Sequence, residues 1–375
     1  MARPLRVLMT ADPIGGVWTY ACELIGALAE QHVEVVLATM GAALTAAQRR
    51  AVHQLSNVVL AESGYALEWM PEPWHDVDAA ADWLRGLEAR HAPDVVHVNG
   101  FAHAAAGFRA PVLCVAHSCV VTWIRGVRGV RGAEPGPAWA EYRARVARGL
   151  RAAGAVVAPT RAILDAILEA HGVTRAGRVI PNGRAAAPLP PGGLAAGPEK
   201  EPFVLAAGRL WDEAKGLDVL DACAPSVPWP IRVAGPLAGP GGAEGRAVHA
   251  QLLGPLEPAA LAAWMARAAI YALPARYEPF GLAALEAALA GCALVLGELP
   301  TLREVWGDSA VYVRPGDPDA LARALAALSR DPLRRAALAA SACARALALT
   351  PQRMAAAYRG VYDELRAGAR REAHA

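Results

Sequence analysis

The stretch Ala275-Arg276-Tyr277-Glu278-Pro279-Phe280-Gly281-Leu282-Ala283-Ala284-Leu285-Glu286-Ala287 decides how this chain is read. The apolar run before it, Ala268 to Pro274, reads as a buried strand. The Ala/Leu-rich segment from Leu282 to Leu289 reads as a helix closed by Gly291. Glu278, Phe280 and Gly281 therefore fall on a strand-to-helix turn. A helix N-terminus offers unpaired backbone N–H groups and a partial positive charge, which suits a phosphate. Gly281 lets the backbone approach such a group closely. Glu286, in the second turn, is placed to accept hydrogen bonds from a ribose diol, and Glu278 from the hydroxyls of a sugar. Pro-x-Gly before an Ala/Leu run is also ordinary helix-start chemistry, and Glu286 also reads as a solvated helix carboxylate. The residues of this stretch alone leave both readings open.

A chain of 375 residues has room for two domains of roughly 100–200 residues each. At 55% hydrophobic and 19% charged it can fill two cores. The net charge of +2, from 37 Lys+Arg against 35 Asp+Glu, is no nucleic-acid footprint. Lys200 and Lys215 are its only lysines, which together with the abundant Ala, Gly and Pro suggests the codon usage of a GC-rich genome. The six cysteines form no C-x-x-C pair and sit mostly among apolar residues, so they read as reduced core thiols of a cytoplasmic protein. The start, Met1 to Met9, is too short and too soon broken for a signal peptide. No apolar run approaches the roughly 20 residues of a membrane span.

Taken in order, Leu5 to Thr10 reads as a strand, and Asp12 to Trp18 as a glycine turn into a helix ending near Glu30. Gly15-Gly16 lets the backbone approach a ligand at that helix N-terminus, although many such turns need glycine sterically. The pair is not G-x-G-x-x-G, so a nicotinamide dinucleotide is not indicated. Further strands are read at Val33–Ala38, Pro93–Asn99, Pro111–Ala116 and Ala155–Thr160, with helical stretches between them. That alternation predicts a parallel, doubly wound α/β sheet with ligands beyond the strands' carboxyl ends. His97 and Asn99 end one strand and His117 follows another; His97 reads as a satisfied structural histidine. Trp123 to Gly132, with Arg125, Arg128 and Arg131 interleaved with Gly and Val, reads as a mobile basic loop, because Gly at that density disfavours helix. A solvated loop is the plainer account of it, and an anionic acceptor or an acidic membrane surface the functional one.

The Ala/Pro/Gly-rich stretch from Ala185 to Pro202 reads as a linker. It sets the first domain at 1–190 and the second at 200–352, with 353–375 a last, basic helix. The second domain opens with the strand Phe203–Ala207 and runs into Gly208-Arg209-Leu210-Trp211-Asp212-Glu213-Ala214-Lys215-Gly216. Arg209 and Lys215, at a strand end and a helix start, are placed to clamp two phosphates and to stabilise a leaving diphosphate. The competing account is two surface cations beside a turn. Ile231–Pro236 and Leu252–Leu256 read as strands entering turns, and Trp264 and Met265 as core. Asp76-Val77-Asp78 and Asp317-Pro318-Asp319 tempt a metal reading, but both precede helices, where Asp is a good cap. Neither is assigned a metal.

Glu278 to Glu286 resembles the E-x-F-G-x-x-x-x-E signature of retaining GT-B glycosyltransferases, glycosyltransferase family 4 (group 1) in particular. Gly208 to Gly216 resembles the same family's G-R-x-x-x-x-x-K-G motif. Val179-Ile180-Pro181-Asn182-Gly183 resembles its V-P-N-G-V-D segment, with Arg184 and Ala185 replacing the last two residues. Ala275 stands where the family often has Ser. The resemblance covers essentially the whole chain and is strongest over 203–315. It implies two Rossmann-like domains facing a central cleft, with the last helix crossing back to the first domain. It implies a nucleotide diphosphate sugar (UDP- or GDP-linked) as donor substrate and no further cofactor. The sugar, a hexose, passes to a hydroxyl acceptor (a sugar, a lipid-linked group or a small molecule) by front-face transfer that needs no metal. Arg209, Lys215, Gly281 and Leu282 would then hold the diphosphate, with Phe280 in the same turn. Glu286 would hold the ribose, Glu278 and His117 the donor sugar, and Gly235 and Leu256 the base through their turns. Gly15 and Gly16 would face the acceptor or donor phosphate. A GT-B phosphorylase, a nucleotide-sugar epimerase and a non-catalytic GT-B-like subunit are the alternatives. Base, sugar, acceptor, oligomeric state and any peripheral membrane contact stay open.

Overall fold

In the computed structural model, residues 3–129, 139–185, 200–239 and 242–372 are described. The chain forms two compact units, one of residues 1–183 with 351–375 and one of residues 184–350. Most of the stretch read as a linker, 186–199, lies outside the described residues, as does Arg131.

Unit one is built on seven parallel strands: β1 (Leu5–Ala11), β2 (Val33–Thr39), β3 (Val58–Glu62), β4 (Val95–Val98), β5 (Val112–Val115), β6 (Ala155–Ala158) and β7 (Arg178–Val179). Their order in the sheet is β3-β2-β1-β4-β5-β6-β7. The central strands are runs of Val, Leu and Ala because both faces are covered by helices, so no polar alternation is needed. The order reverses between β1 and β4, the switch point where ligands gather in such sheets. The C-terminal helix Pro351–Glu372 belongs to this unit and packs on the helix Gly16–Ala29. Its Tyr358 and Tyr362 are among the largest fully buried side chains of the molecule.

Unit two repeats the plan with six parallel strands: β8 (Glu201–Ala207), β9 (Ile231–Ala234), β10 (Gln251–Gly254), β11 (Ala268–Leu273), β12 (Ala293–Gly297) and β13 (Val311–Val313). They are ordered β10-β9-β8-β11-β12-β13. The helix Leu282–Leu289 lies against one face, with Ala284, Leu285, Ala287 and Ala288 buried. Lys200 closes that helix: its ammonium, pushed below the usual lysine range by burial, donates to the carbonyl of Ala290 at 2.6 Å. Asp317 caps the helix Pro318–Arg330 by accepting from Ala320 N at 2.8 Å.

One expectation is overturned. The part of the segment read as a mobile loop from Trp123 to Arg128 belongs to an α-helix, Val120–Arg128, and residues 130–132 lie outside the described residues. The thiol of Cys119 caps its start, and its own Val121 and Thr122 are buried. Only Gly126 interrupts it, on the exposed side, and Gly129, at φ 79°, ends it. Packing against the helix Arg161–Ala170 outweighs one interior glycine, which costs about 1 kcal/mol.

Candidate functional site

In unit two the turns after β8 and β11 are stitched together. Arg276 N donates to Ala214 O at 2.9 Å, and the Arg276 guanidinium grips both oxygens of Asp218 at 2.8 and 2.6 Å. That bidentate pair holds the Asp218 carboxyl below the usual carboxylate range. Gly216 makes the approach feasible: its φ is 70°, and a Cβ there would lie 2.6 Å from the carbonyl oxygen of Pro274.

The stitching carries Lys215 to Glu278. Lys215 Nζ donates to Glu278 Oε2 at 2.7 Å, and both side chains are mostly shielded from solvent. The other oxygen, Oε1, accepts from Gly281 N at 3.0 Å, and Thr301 Oγ1 donates to the Glu278 carbonyl at 2.6 Å. The Gly281 amide, expected to face a phosphate, is thus spent on Glu278. The two donors assigned to a phosphate from sequence converge on one carboxylate. Gly281 itself sits at φ 90°, a conformation that favours glycine regardless of ligand. The Phe280 ring is a core group, 3% exposed, so it serves the turn by packing. Leu282 packs partly buried against the same core.

Arg209, at the end of β8, is more exposed. It donates to Asp212 at 2.8 Å and lies 5.4 Å over the Trp211 ring. Asp212 is buried and turns the chain toward Lys215, accepting from Ala214 N through Oδ1 at 3.0 Å. Gly235, after β9, has φ 142°, and a Cβ there would lie 1.8 Å from Gly208 O. Its glycine is therefore required by the close approach of two turns. Leu256 packs partly buried on the core. Glu286 Oε1 receives Arg184 Nε at 2.8 Å. Arg184, where the resembled segment has a hydrophobic residue, is thus a partner of the carboxylate expected to hold ribose.

In unit one, Gly15 precedes the helix Gly16–Ala29 with φ 89° and ψ −149°, and Gly15 and Gly16 are exposed. His117, just past β5, is half-buried; its Nε2 lies 2.8 Å from Asn99 Oδ1 and its ring packs edge-on to Tyr20 at 4.5 Å. His97 is fully buried, with Nδ1 2.7 Å from the Tyr362 hydroxyl. Burial pushes both imidazoles down to about 3. Sequence reasoning missed Asn99, Tyr20, Thr301 and the Arg184 pairing. Asn99 carried a legible signal, a polar residue at the end of a central strand. Of the Asp pairs read as structural, Asp76 accepts from Ala66 N at 2.9 Å and Asp78 pairs with Arg145.

Residues 14–185 match the family model described as Glycosyltransferase Family 4, and residues 201–331 that of Glycosyl transferases group 1. The chain belongs to the family 4/group 1 glycosyltransferases. It is 35% identical over 185 residues to a D-inositol 3-phosphate glycosyltransferase of Xylanimonas cellulosilytica, a match that takes in 44% of this chain and 43% of that protein. The chain therefore spans less than half the length of this curated relative. Among solved structures, a sucrose-phosphate synthase from Thermosynechococcus elongatus superposes with a TM-score of 0.78 at 20% identity, over 97% of this chain and 100% of that one. Anabaena HepE in complex with UDP-glucose superposes with a TM-score of 0.69 at 17% identity, over 96% and 100%. These likenesses show the fold: GT-B, with two parallel-sheet Rossmann-like units.

Proposed function

We propose that this glycosyltransferase moves a hexose from a nucleotide diphosphate sugar, UDP- or GDP-linked, to a hydroxyl acceptor with retention of configuration. The observation that carries the reading is the convergence of Lys215 Nζ and the Gly281 amide, at the start of a helix, on a single anionic group. Such a pair of donors forms an anion-binding point, and in this structure the Glu278 carboxylate is the anion it holds. An arriving diphosphate takes over Lys215, with Arg209 from the turn after β8, and frees the Glu278 carboxylate for a sugar hydroxyl. Glu286 receives the ribose. His117 is assigned to a donor-sugar hydroxyl, and the Gly15-Gly16 turn to acceptor or phosphate.

Transfer then needs no protein nucleophile. The bond from the anomeric carbon to the diphosphate oxygen breaks as the acceptor oxygen bonds to the same face. The leaving phosphate oxygen takes the acceptor proton. The protein's share is positioning and stabilisation of the diphosphate charge, for which Lys215 and Arg209 take the place of a metal. HepE's complex with UDP-glucose supports a nucleotide-sugar donor. No described helix is long and apolar enough to cross a membrane.

The test is nucleotide release from UDP- and GDP-hexoses with a panel of hydroxyl acceptors, and proton NMR of the glycoside formed. An α-linked donor should give an α-linked product in the presence of EDTA. A β-linked product, or release that stops with EDTA, would overturn the mechanism.

A further inference from the structure

Asn99 stands just past the end of β4, beside Thr10 of the neighbouring strand β1. Two bonds lock it there: its backbone N donates to Thr10 Oγ1 at 2.9 Å, and its side-chain Nδ2 donates to the Thr10 carbonyl at 2.6 Å. A main-chain carbonyl can only accept, so the amide nitrogen must face Thr10 and the amide oxygen must face away from it. That oxygen meets two imidazoles, His117 Nε2 at 2.8 Å and His97 Nε2 at 3.3 Å. An amide oxygen also only accepts. Both ring nitrogens facing it therefore carry the hydrogen.

We propose that Asn99 is a positioning residue: anchored on Thr10, it fixes His117 as the Nε2–H tautomer, so that Nδ1 of His117 is an acceptor for a hydroxyl of the substrate. The inference rests on the assignment of His117 to a donor-sugar hydroxyl and specifies the direction of that hydrogen bond: the sugar donates and the protein accepts.

The surroundings agree at each step. His97, as an Nε2–H tautomer, has its lone pair on Nδ1, where the Tyr362 hydroxyl approaches to 2.7 Å and donates. Its N–H is shared between Asn99 Oδ1 and the hydroxyl oxygen of Tyr20, each at 3.3 Å. The titratable groups packed around the two rings come from several elements. The helix Gly16–Ala29 brings Tyr20, and the C-terminal helix brings Tyr358 and Tyr362. Burial raises all three phenols, so they stay neutral. The Glu68 carboxylate is spent on the amides of Phe101 and Ala102, at 3.0 and 2.7 Å. Cys114 and Cys119 are buried and raised. Among the described residues no carboxylate bonds to either ring, so both rings are neutral near pH 7, and a neutral imidazole with one N–H committed has one lone pair left.

Asn99→Asp keeps an acceptor facing His117 and gives it a negative charge, while it loses the Nδ2 donor to the Thr10 carbonyl and keeps the backbone bond to Thr10 Oγ1. It should raise the His117 pKa, so that His117 gains a proton at Nδ1 in mild acid and loses its lone pair. If the ring returns to about 6.5, about one molecule in ten keeps it neutral at pH 5.5. The first experiment is long-range 1H–15N correlation on 15N-histidine-labelled, ligand-free protein between pH 5 and 8, with His97→Gln and His117→Gln to assign the rings. The wild type should show both rings as non-titrating Nε2–H tautomers. The second is the pH profile of kcat/KM, in which Asn99→Asp should lose about ten-fold against wild type between pH 8 and pH 5.5. An Nδ1–H tautomer at His117 overturns the proposal without any substrate, and so stands even if Asn99→Asp does not fold. An unshifted pH profile in a folded Asn99→Asp also overturns it. Failure of the underlying assignment looks different: His117→Ala would then turn over normally, whatever the tautomer.

Discussion

The guanidinium of Arg184 lies 2.8 Å from Oε1 of Glu286, the carboxylate assigned to ribose. The resemblance marks Arg184 as a departure, and the structure gives the departure a physical meaning. A cation now shares a carboxylate that two neutral hydroxyls would otherwise have. Arg184→Leu should tighten nucleotide diphosphate binding a few-fold, whereas Glu286→Ala should weaken it about 10- to 100-fold, the worth of hydrogen bonds to a charged group. Calorimetric Kd values for the two variants check this. If Arg184→Leu weakens binding instead, the guanidinium is an ally of the nucleotide and not a competitor.

Lys215 and Glu278 are partners without ligand but have separate tasks with it. Lys215→Ala should lose diphosphate binding and cost about 100- to 1000-fold in kcat/KM, the scale for removing one donor to developing charge. Glu278→Gln removes the internal anion but keeps the shape of the side chain. It should bind the bare nucleotide diphosphate at least as well as wild type and lose turnover of the nucleotide sugar. Equal losses of both properties in both variants would contradict the separation.

The turns depend on three glycines for geometry rather than for ligand approach alone. An alanine Cβ at Gly216 would lie 2.6 Å from Pro274 O, and one at Gly235 1.8 Å from Gly208 O. Both partners are backbone and cannot swing aside. Each substitution should destabilise unit two by about 1–3 kcal/mol or more, read from the denaturant midpoint. Gly281→Ala meets only the flexible end of Leu302 at 3.2 Å, so its cost should come mainly from the φ of 90°.

The fold was legible because both sheets write themselves as apolar runs separated by helix patterns and glycine turns. The strand β3 was not. It lies at the sheet edge, and its Val59 is 52% exposed, so its hydrophobic signal is diluted. The helix Val120–Arg128 was obscured by glycines, of which only Gly126 lies inside it. At the site, Lys215, Glu278 and Gly281 were legible by spacing. Their mutual bonding was not, because it depends on two turns separated by some sixty residues being closed onto each other by Arg276 and Gly216. The Thr10–Asn99–His117 relay was hidden for the same reason, since it joins the ends of three strands.

Acid should weaken this protein through histidines shielded from water. His97 and His117 are held at about 3 and His171 at about 4, chiefly by desolvation, against an ordinary value of 6.5. The unfolded chain therefore binds more protons than the native one below about pH 6.5, and stability rises with pH across that window. Each ring contributes stability that is fully present above 6.5 and is lost, by up to about 1.4 kcal/mol per pH unit, as pH falls from 6.5 toward the folded values. Urea midpoints from pH 5 to 8 should show this, with a shallower slope in His97→Gln. A flat profile would mean that the rings are solvated.

The most direct measurement is calorimetric titration of UDP, GDP and ADP into wild-type and Lys215→Ala protein, with EDTA present. One nucleotide diphosphate should bind the wild type clearly better than the others, and Lys215→Ala should lose that binding while its far-UV spectrum is unchanged. Binding of none of the three by a folded wild type, or equal binding by the variant, would contradict a nucleotide diphosphate held at Lys215 and the Gly281 helix start.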